Sequence, residues 1–432
     1  MHFINGTKRV KKNIFLHVAV VFGVLSSSIN LTFAQIDTTK AKTDTAQHPM
    51  FMPPSAMAGS SPMTTPGMTG PLLANPNPIG YSIGKFGPIY VTGVVSGIYQ
   101  WQNNVSPGDK SSQTDLANGQ VFIQKVDGVL QFFVQAGAYS IPALGLPYLR
   151  AGNTEHTYGS STNANFGVVP QAFVKLAPTK NFSILAGKLP TLIGAEYTFS
   201  FENMNIERGL VWNQENAVNR GVQANFTAGP ITIAASWNDG FYSNRYTWAW
   251  LSIVYAINAN NTLAVIGSGN TKITDVSTYS TPIYQNNEQL YNLIFTHISG
   301  KWTIEPYFQY TMVPKNLEIL KTTQDAATYG GALFISYAAS SNPDGTSFNI
   351  PLRLEYISST GSASAGAPNL LYGQGSNAWS VTVTPTWQYK RFFARAEFSY
   401  VNANSITSGS AFGPDGTSSS QARGLLEFGM LF

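Results

Sequence analysis

Cysteine is absent from this 432-residue chain. Disulfides, thiolate metal sites and thiol catalysis are therefore excluded. Charge is scarce: Asp, Glu, Lys and Arg make up 11% of the residues, against roughly 25% in ordinary soluble domains. A run of about twenty apolar residues is also missing beyond the first 34 positions, so no membrane-spanning helix is expected there. The nearest approach, Tyr246 to Thr271, carries no charge but is interrupted by Asn258-Ala259-Asn260-Asn261, a turn sequence, and reads as a hairpin. Low charge without an apolar 20-mer is the composition of strands that are apolar only at every second residue.

The first 34 residues read as a secretory signal peptide. Lys8, Arg9, Lys11 and Lys12 form a basic start, Ile14 to Leu25 an apolar run, and Thr32-Phe33-Ala34 a small-residue site that predicts cleavage before Gln35. The rival, a retained anchor helix, is disfavoured by the short apolar run and by Ser26-Ser27-Ser28 after it. The chain holds 25 Lys+Arg and 21 Asp+Glu. Four of those bases and no acid lie in the leader, so the remainder is formally neutral. The pI near 8.9 thus argues for no nucleic-acid partner.

Residues 35–87 are expected to be a disordered periplasmic linker. Pro53, Pro54, Pro62, Pro66, Pro71, Pro76 and Pro78 stand among Ser, Thr, Gly and Asn, a composition that buries too little surface to order itself. Met50, Met52, Met57, Met63 and Met68 lie here with His48. Thioethers suit Cu(I), but a plain tether is the simpler reading. No cofactor or metal site is expected.

From Pro88 onward, period-two segments alternate with turn-rich ones. The last eleven residues are typical: Leu426, Phe428, Met430 and Phe432 share one face, while Arg423, Leu425, Glu427 and Leu431 share the other. Sixteen such segments are expected, near 88–102, 119–126, 129–139, 168–176, 181–188, 219–227, 230–238, 246–257, 262–268, 287–297, 301–311, 328–338, 347–358, 377–388, 391–401 and 422–432. Short and long connections alternate along the chain. This predicts an all-β fold: a transmembrane antiparallel β-barrel of about sixteen strands, with tight periplasmic turns, long outer loops and both termini in the periplasm. Phe428, Met430 and Phe432 then form a C-terminal insertion signal for the barrel-assembly machinery.

The strands assign the faces. Charges fall on the polar side of the late strands, which a cost of about 2–4 kcal/mol for a charge on the lipid face requires. Tyr99, Trp101, Trp302, Tyr310, Tyr337, Tyr356, Trp387, Tyr389 and Tyr400 stand near strand ends as two interfacial girdles. Lys125 and Arg220 break the pattern and call for a bulge or a rim position. Glu305, Arg353, Glu355, Arg395, Glu397, Arg423 and Glu427 are expected to line a wet lumen. Opposed clusters of them would set up a selective transverse field; pairing among them would instead stiffen the wall.

The connection from Leu189 to Val218 is read as the longest. It holds four of the 21 acids, with Glu196, Glu202, Glu207, Arg208 and Glu215 beside Tyr197, Phe199, Phe201, Met204 and Trp212. An outer loop this apolar is poorly suited to water and is expected to fold inward as a constriction. Catalysis finds little footing. His156 and His297 are the only histidines of the barrel, with no nucleophile spaced to meet them. The Asp-Gly pairs at Asp127, Asp239, Asp344 and Asp415 are turns.

The run Leu185-Ala186-Gly187-Lys188-Leu189-Pro190-Thr191-Leu192-Ile193-Gly194-Ala195-Glu196, then Asn203, Arg208-Gly209-Leu210 and Arg220-Gly221-Val222-Gln223, resembles the OmpL-like β-barrel porins of Gram-negative outer membranes. The likeness is best over Val168 to Asn244. It implies a pore-forming outer-membrane protein and names no substrate. The expected function is passive diffusion of small hydrophilic solutes or ions, with outer-membrane lipid as the surrounding partner. A transporter for hydrophobic substrates with an N-terminal hatch, and an adhesive barrel, are the alternatives. Trimers are common among sixteen-stranded porins, but no outward strand shows a decisive interface, so a homo-oligomer stays open.

Overall fold

The computed structural model describes residues 70–75, 78–152, 162–216, 218–277 and 282–432. The leader, the methionines from Met50 to Met68, His48 and His156 lie outside the described residues. One antiparallel sheet contains every strand. In chain order these are β1 (Ile79–Ile83), β2 (Gly87–Gln102), β3 (Ser112–Lys125), β4 (Leu130–Tyr139), β5 (Gln171–Leu176), β6 (Phe182–Pro190), β7 (Val218–Ala228), β8 (Ile231–Asn238) and β9 (Trp248–Asn258). There follow β10 (Asn261–Asn270), β11 (Gln289–Ser299), β12 (Trp302–Val313), β13 (Ala326–Ser341), β14 (Thr346–Ser359), β15 (Asn377–Val383), β16 (Thr386–Tyr389), β17 (Phe392–Asn404) and β18 (Ser420–Leu431).

Each strand from β2 onward pairs with its neighbour, and β18 pairs back onto β2, with Met430 opposite Val95. The sheet is closed. β15 and β16 are two halves of one wall strand, since both pair with β14 and with β17. The break falls at Thr384-Pro385, where proline removes a ladder donor. The wall therefore has sixteen strands. Phe432 completes the closure: its N–H donates to the Gly93 carbonyl at 2.9 Å, and its carbonyl accepts from the Gly93 N–H at 2.8 Å.

Connections are short at 126–129, 177–181, 229–230, 259–260, 300–301, 342–345 and 390–391, and long between them. The Asp-Gly turns at Asp127 and Asp344 place Gly128 and Gly345 at φ of 73° and 87°, a left-handed conformation that favours glycine. The connection 140–170 exceeds 191–217, so the inner loop is not the longest: β5 starts later and β6 and β7 run further than the pattern indicated. β3 likewise begins at Ser112 because a register shift between Ser96 and Gly97 restarts its pairing beyond the expected start.

Side chains alternate as a lipid-and-water wall demands. Phe398, Leu426 and Phe428 face outward and exposed, while Arg395, Glu397, Arg423 and Glu427 face inward and buried. The two exceptions resolve as rim positions. Lys125, at the last residue of β3, is paired with Asp127 in the turn and lies over the Phe86 ring. Arg220, near the long-loop end of β7, pairs with Asp239 at 2.7 Å. Aromatic residues of the expected girdles pack on one another: Trp302 meets Tyr337 with ring centroids 4.6 Å apart, and Trp387 meets Tyr389 at 6.5 Å.

The expected linker needs correction at its end. β1 pairs with Gly87–Val91 of β2, and Gly70–Asn75 enters the barrel. Leu72 is 1% exposed and packs in an apolar cluster with Phe122, Tyr139, Phe199 and Phe201. Gln388 on β16 clamps Leu73, its Oε1 accepting from the Leu73 N–H at 2.7 Å and its Nε2 donating to the Leu73 carbonyl at 2.8 Å. Composition misjudged this stretch because its order comes from partners on distant strands.

Candidate functional site

One loop reaches into every part of the apolar core. Residues 191–217 leave β6 at Pro190 and return as β7 at Val218. Their side chains enter all four buried apolar clusters among the described residues. Leu192, Ile193, Met204 and Val211 join Trp248, Trp250, Ile294 and Phe334. Phe199, Phe201 and Trp212 join Phe122 and Tyr139, with Phe199 edge-on to Tyr139 at 5.0 Å. Leu210 joins Tyr372 and Phe412, and Ile206 joins Ile98 and Leu425. Full burial of one such side chain contributes about 1.5–3 kcal/mol, so swinging the loop into water would forfeit on the order of 10 kcal/mol. The loop's resting place is inside.

Its polar groups meet the charges of the wall. Arg353 on β14 stands 2.7 Å from Glu196 of the loop and 3.1 Å from Glu355 on its own strand, and it also donates to the Glu207 carbonyl at 2.7 Å. Arg423 on β18 stands 2.7 Å from Glu207. Arg395 on β17 pairs with Glu427 at 3.4 Å and donates to the carbonyls of Ser200, Asn203 and Met204 at 2.9, 3.0 and 2.8 Å. The Glu397 carboxylate accepts the N–H groups of Ile206 and Glu207 at 2.5 and 2.9 Å. Glu355 accepts from the Val211 N–H at 3.2 Å.

Six of the seven wall charges are thus engaged by the loop or by one another. The seventh, Glu305, is also buried and takes a hydrogen bond from Thr296 at 2.6 Å. The opposed clusters of a transverse field are not formed around this loop; local pairing takes their place. Two of the four loop carboxylates, Glu196 and Glu207, meet lumen arginines and are neutralised there.

Within the loop, Arg208 hydrogen-bonds only to neutral groups among the described residues, donating to the carbonyls of Pro142 at 3.1 and 2.8 Å and Thr198 at 3.1 Å. Burial lowers its guanidinium to about 10. Burial pushes the Glu202 carboxyl up to about 8. Burial also holds the Glu215 carboxyl well above the ordinary carboxylate range, although the Tyr307 hydroxyl donates to it.

The profile of the family described as "Putative beta-barrel porin-2, OmpL-like" matches residues 88–432, the whole of the barrel. The chain belongs to this family of OmpL-like barrel porins. The match reaches far beyond the 168–244 stretch that carries the local resemblance. No curated protein matches the sequence of this OmpL-like porin. Solved structures share its fold at low identity. The outer membrane channel DcaP of Acinetobacter baumannii aligns with a TM-score of 0.53 at 10% identity, covering 82% of this chain and 99% of that one. OmpF of Salmonella typhi, in complex with daunomycin, gives 0.50 at 12% identity over 82% and 100%. A loop-L8 deletion mutant of OmpT, an outer membrane protein of Vibrio cholerae, gives 0.51 at 11% identity over 80% and 99%.

Further residues that strand parity alone does not single out hold the loop and the N-terminal segment. Gln388 holds the N-terminal segment. Ser96, Asn118 and Ser200 gather on the Glu427 carboxylate at 2.9, 3.3 and 2.9 Å. Asn292 accepts from the Gly194 N–H at 3.1 Å, and Gln309 donates to the Val211 carbonyl at 2.9 Å. Gln388 and Gln309 are buried on the inner face; what they hold can be learned only from the fold. His297 lies at the short-turn end of β11, its ring Nδ1 2.8 Å from Asn261 Oδ1.

Proposed function

We propose that this protein is an outer-membrane porin through which small hydrophilic solutes or ions diffuse passively, with loop 191–217 as the constriction. The observation that carries the reading is the union of a closed sixteen-stranded wall, polar within and apolar without, with a loop folded into the barrel and bonded to wall charges. Catalysis is not part of the reading. The wall residues Arg353, Glu355, Arg395, Glu397, Arg423 and Glu427 set the shape of the path by holding the loop, and Glu305 lines the wall beside Thr296. The loop residues Glu196, Glu202, Glu207, Arg208 and Glu215 narrow it. Phe428, Met430 and Phe432 serve insertion at the closing seam. The leader delivers the chain to the periplasm, and both ends of the barrel face that side.

Planar-bilayer recording of the refolded mature chain tests this. Stepwise currents are expected, and deletion of Glu202 to Glu207 should enlarge each step. A silent bilayer under both conditions would sink the proposal.

A second reading, a hatch-gated transporter for hydrophobic substrates, draws on the lodging of Gly70–Asn75 in the barrel. Removing residues 35–75 separates the two. Solute passage survives or rises if the barrel is a porin, and substrate uptake stops if the segment is a working hatch.

A further inference from the structure

The outward faces of the strands carry very little charge. Among the described residues, parity places three charged side chains there: Lys125, Lys188 and Arg220. Lys125 is answered by Asp127 in its own turn. Lys188 and Arg220 stand together. They are directly opposite each other on β6 and β7, on the face shared by Ile184 and Val222, which are 38% and 50% exposed. Both lie near the long-loop ends of their strands. They border an open cleft of about 600 Å³ in the outer wall. Trp237 and Tyr246, 49% and 48% exposed, flank it, and Val222 adds apolar surface. Ala172, Gly187 and Gly221 bring little side chain to the lining, which leaves the room. No acid lines the cleft.

The partners of the two cations leave a surplus of positive charge. Arg220 directs Nε and Nη2 to Asp239 at 2.8 and 2.7 Å, and Nη2 also to the Tyr242 carbonyl at 3.1 Å. Its Nη1 makes no hydrogen bond among the described residues, and the side chain is 33% exposed while Asp239 is fully buried. Lys188 donates to the carbonyls of Val169 and Phe166 at 2.7 and 3.5 Å. It has no ion pair among the described residues, and an ammonium has a third N–H to give. Both cations lie over the Tyr242 ring, at 5.5 and 5.2 Å from its centroid, so one ring holds them side by side. Like charges directly opposite in a sheet repel each other, and a charge facing lipid is costly except near the headgroups. One carboxylate serves two cations here. The place calls for a second anion, at the height where exposed Trp and Tyr mark a membrane interface. A phosphate fits: ammonium and guanidinium give its oxygens short charge-assisted hydrogen bonds, while acyl chains meet Val222 and Trp237.

We propose that this cleft binds the phosphate of an anionic lipid headgroup in the leaflet on the long-loop side, with Lys188 and Arg220 holding the phosphate oxygens between Trp237 and Tyr246. The inference goes beyond the porin reading. It needs the barrel seated in a bilayer and does not need an open path.

The test is calorimetric titration of the refolded full-length mature chain in non-ionic detergent with dihexanoyl phosphatidate, dihexanoyl phosphatidylcholine, inorganic phosphate and hexaglutamate. Phosphatidate should bind at least about tenfold more tightly than phosphatidylcholine. Lys188→Met strands no carboxylate and should weaken phosphatidate binding by about tenfold, with phosphatidylcholine unchanged. Stability in vesicles gives a readout that a merely structural lysine would not move. Adding phosphatidylglycerol to phosphatidylcholine should raise the urea midpoint of the unaltered barrel, and Lys188→Met should shrink that rise. Tyr246→Glu sets a carboxylate at the lip of the cleft, on an exposed connection residue, and should erase the phosphatidate preference even if the Lys188 variant fails to refold. Equal binding of the two lipids, or a preference unchanged in both variants, overturns the site. Inorganic phosphate binding as tightly as phosphatidate would make it a free-anion site, and hexaglutamate binding more tightly would make it a protein-docking face; either result overturns the lipid assignment. Bilayer recording keeps the two proposals apart. Stepwise currents without lipid preference sink the site and leave the porin. Lipid preference with a silent bilayer sinks the porin and leaves the site.

Discussion

Arg423 and Glu207 meet at 2.7 Å although 216 positions separate them in the chain. One stands on the strand that closes the barrel, the other near the middle of the inner loop, and both side chains are fully buried. Arg423 also donates to the Ala143 carbonyl at 2.7 Å and to the Leu146 carbonyl at 2.5 Å. Loop, closing strand and the 140–170 connection are therefore tied at one guanidinium. Replacing Glu207 by Ala strands that cation in the interior and should cost about 3–5 kcal/mol. The urea midpoint of the refolded barrel reads the loss. The double variant Glu207→Gln with Arg423→Met should recover most of it, because no charge is then left alone.

Acidity should govern how firmly the loop is seated. The Glu202 carboxyl is raised by burial from 4.5 to about 8, with Arg208 opposing the shift. Between those two values the folded loop holds a proton that the released loop gives up. Its stability is then fully present below about pH 4.5 and is lost as pH rises toward 8. Glu215 shifts the same way. Single-channel conductance should accordingly be smaller at pH 5 than at pH 8.5, and Glu202→Gln should flatten the difference. A conductance that falls with rising pH would contradict this seating.

The outer face offers a test of parity. Phe398 lies midway along β17, 55% exposed on the lipid side, while its neighbour Glu397 points inward and is 4% exposed. Phe398→Arg should lower barrel stability by about 2–4 kcal/mol if that position lies near the bilayer midplane. The folded fraction in lipid vesicles across a urea series measures it. An unaltered midpoint would mean that β17 does not face lipid there.

Parity was the part of this fold that could be read in advance, and the reason is physical. A wall between lipid and a polar interior enforces period two on every strand, so Arg395, Glu397, Arg423 and Glu427 declare their side from sequence. The inward loop was legible for a related reason: Phe199, Phe201 and Trp212 do not suit an outer loop. Relations across the barrel were not legible. The pairing of Arg353 with Glu196 and the gathering of Ser96, Asn118 and Ser200 on Glu427 depend on which strands stand opposite. Alternation carries no record of that. Gly70–Asn75 was misread for the same reason, since proline and glycine suggest a linker wherever no partner is visible.

That segment gives the last prediction. Leu73 is held by two hydrogen bonds to Gln388, and Leu72 is buried beside it. Two such bonds contribute about 1–3 kcal/mol together, enough to change the population of a released segment roughly tenfold or more. Because the chain has no cysteine, Leu72→Cys introduces a single thiol that reports its own exposure. A bulky membrane-impermeant maleimide should label it slowly while Gln388 is in place, and at least about tenfold faster with Gln388→Leu in addition. The Gln388 variant should also pass larger currents if the segment obstructs the path. Equal labelling rates in the two backgrounds would mean that the clamp does not keep Leu72 inside, and the obstruction would have to be sought in loop 191–217 alone.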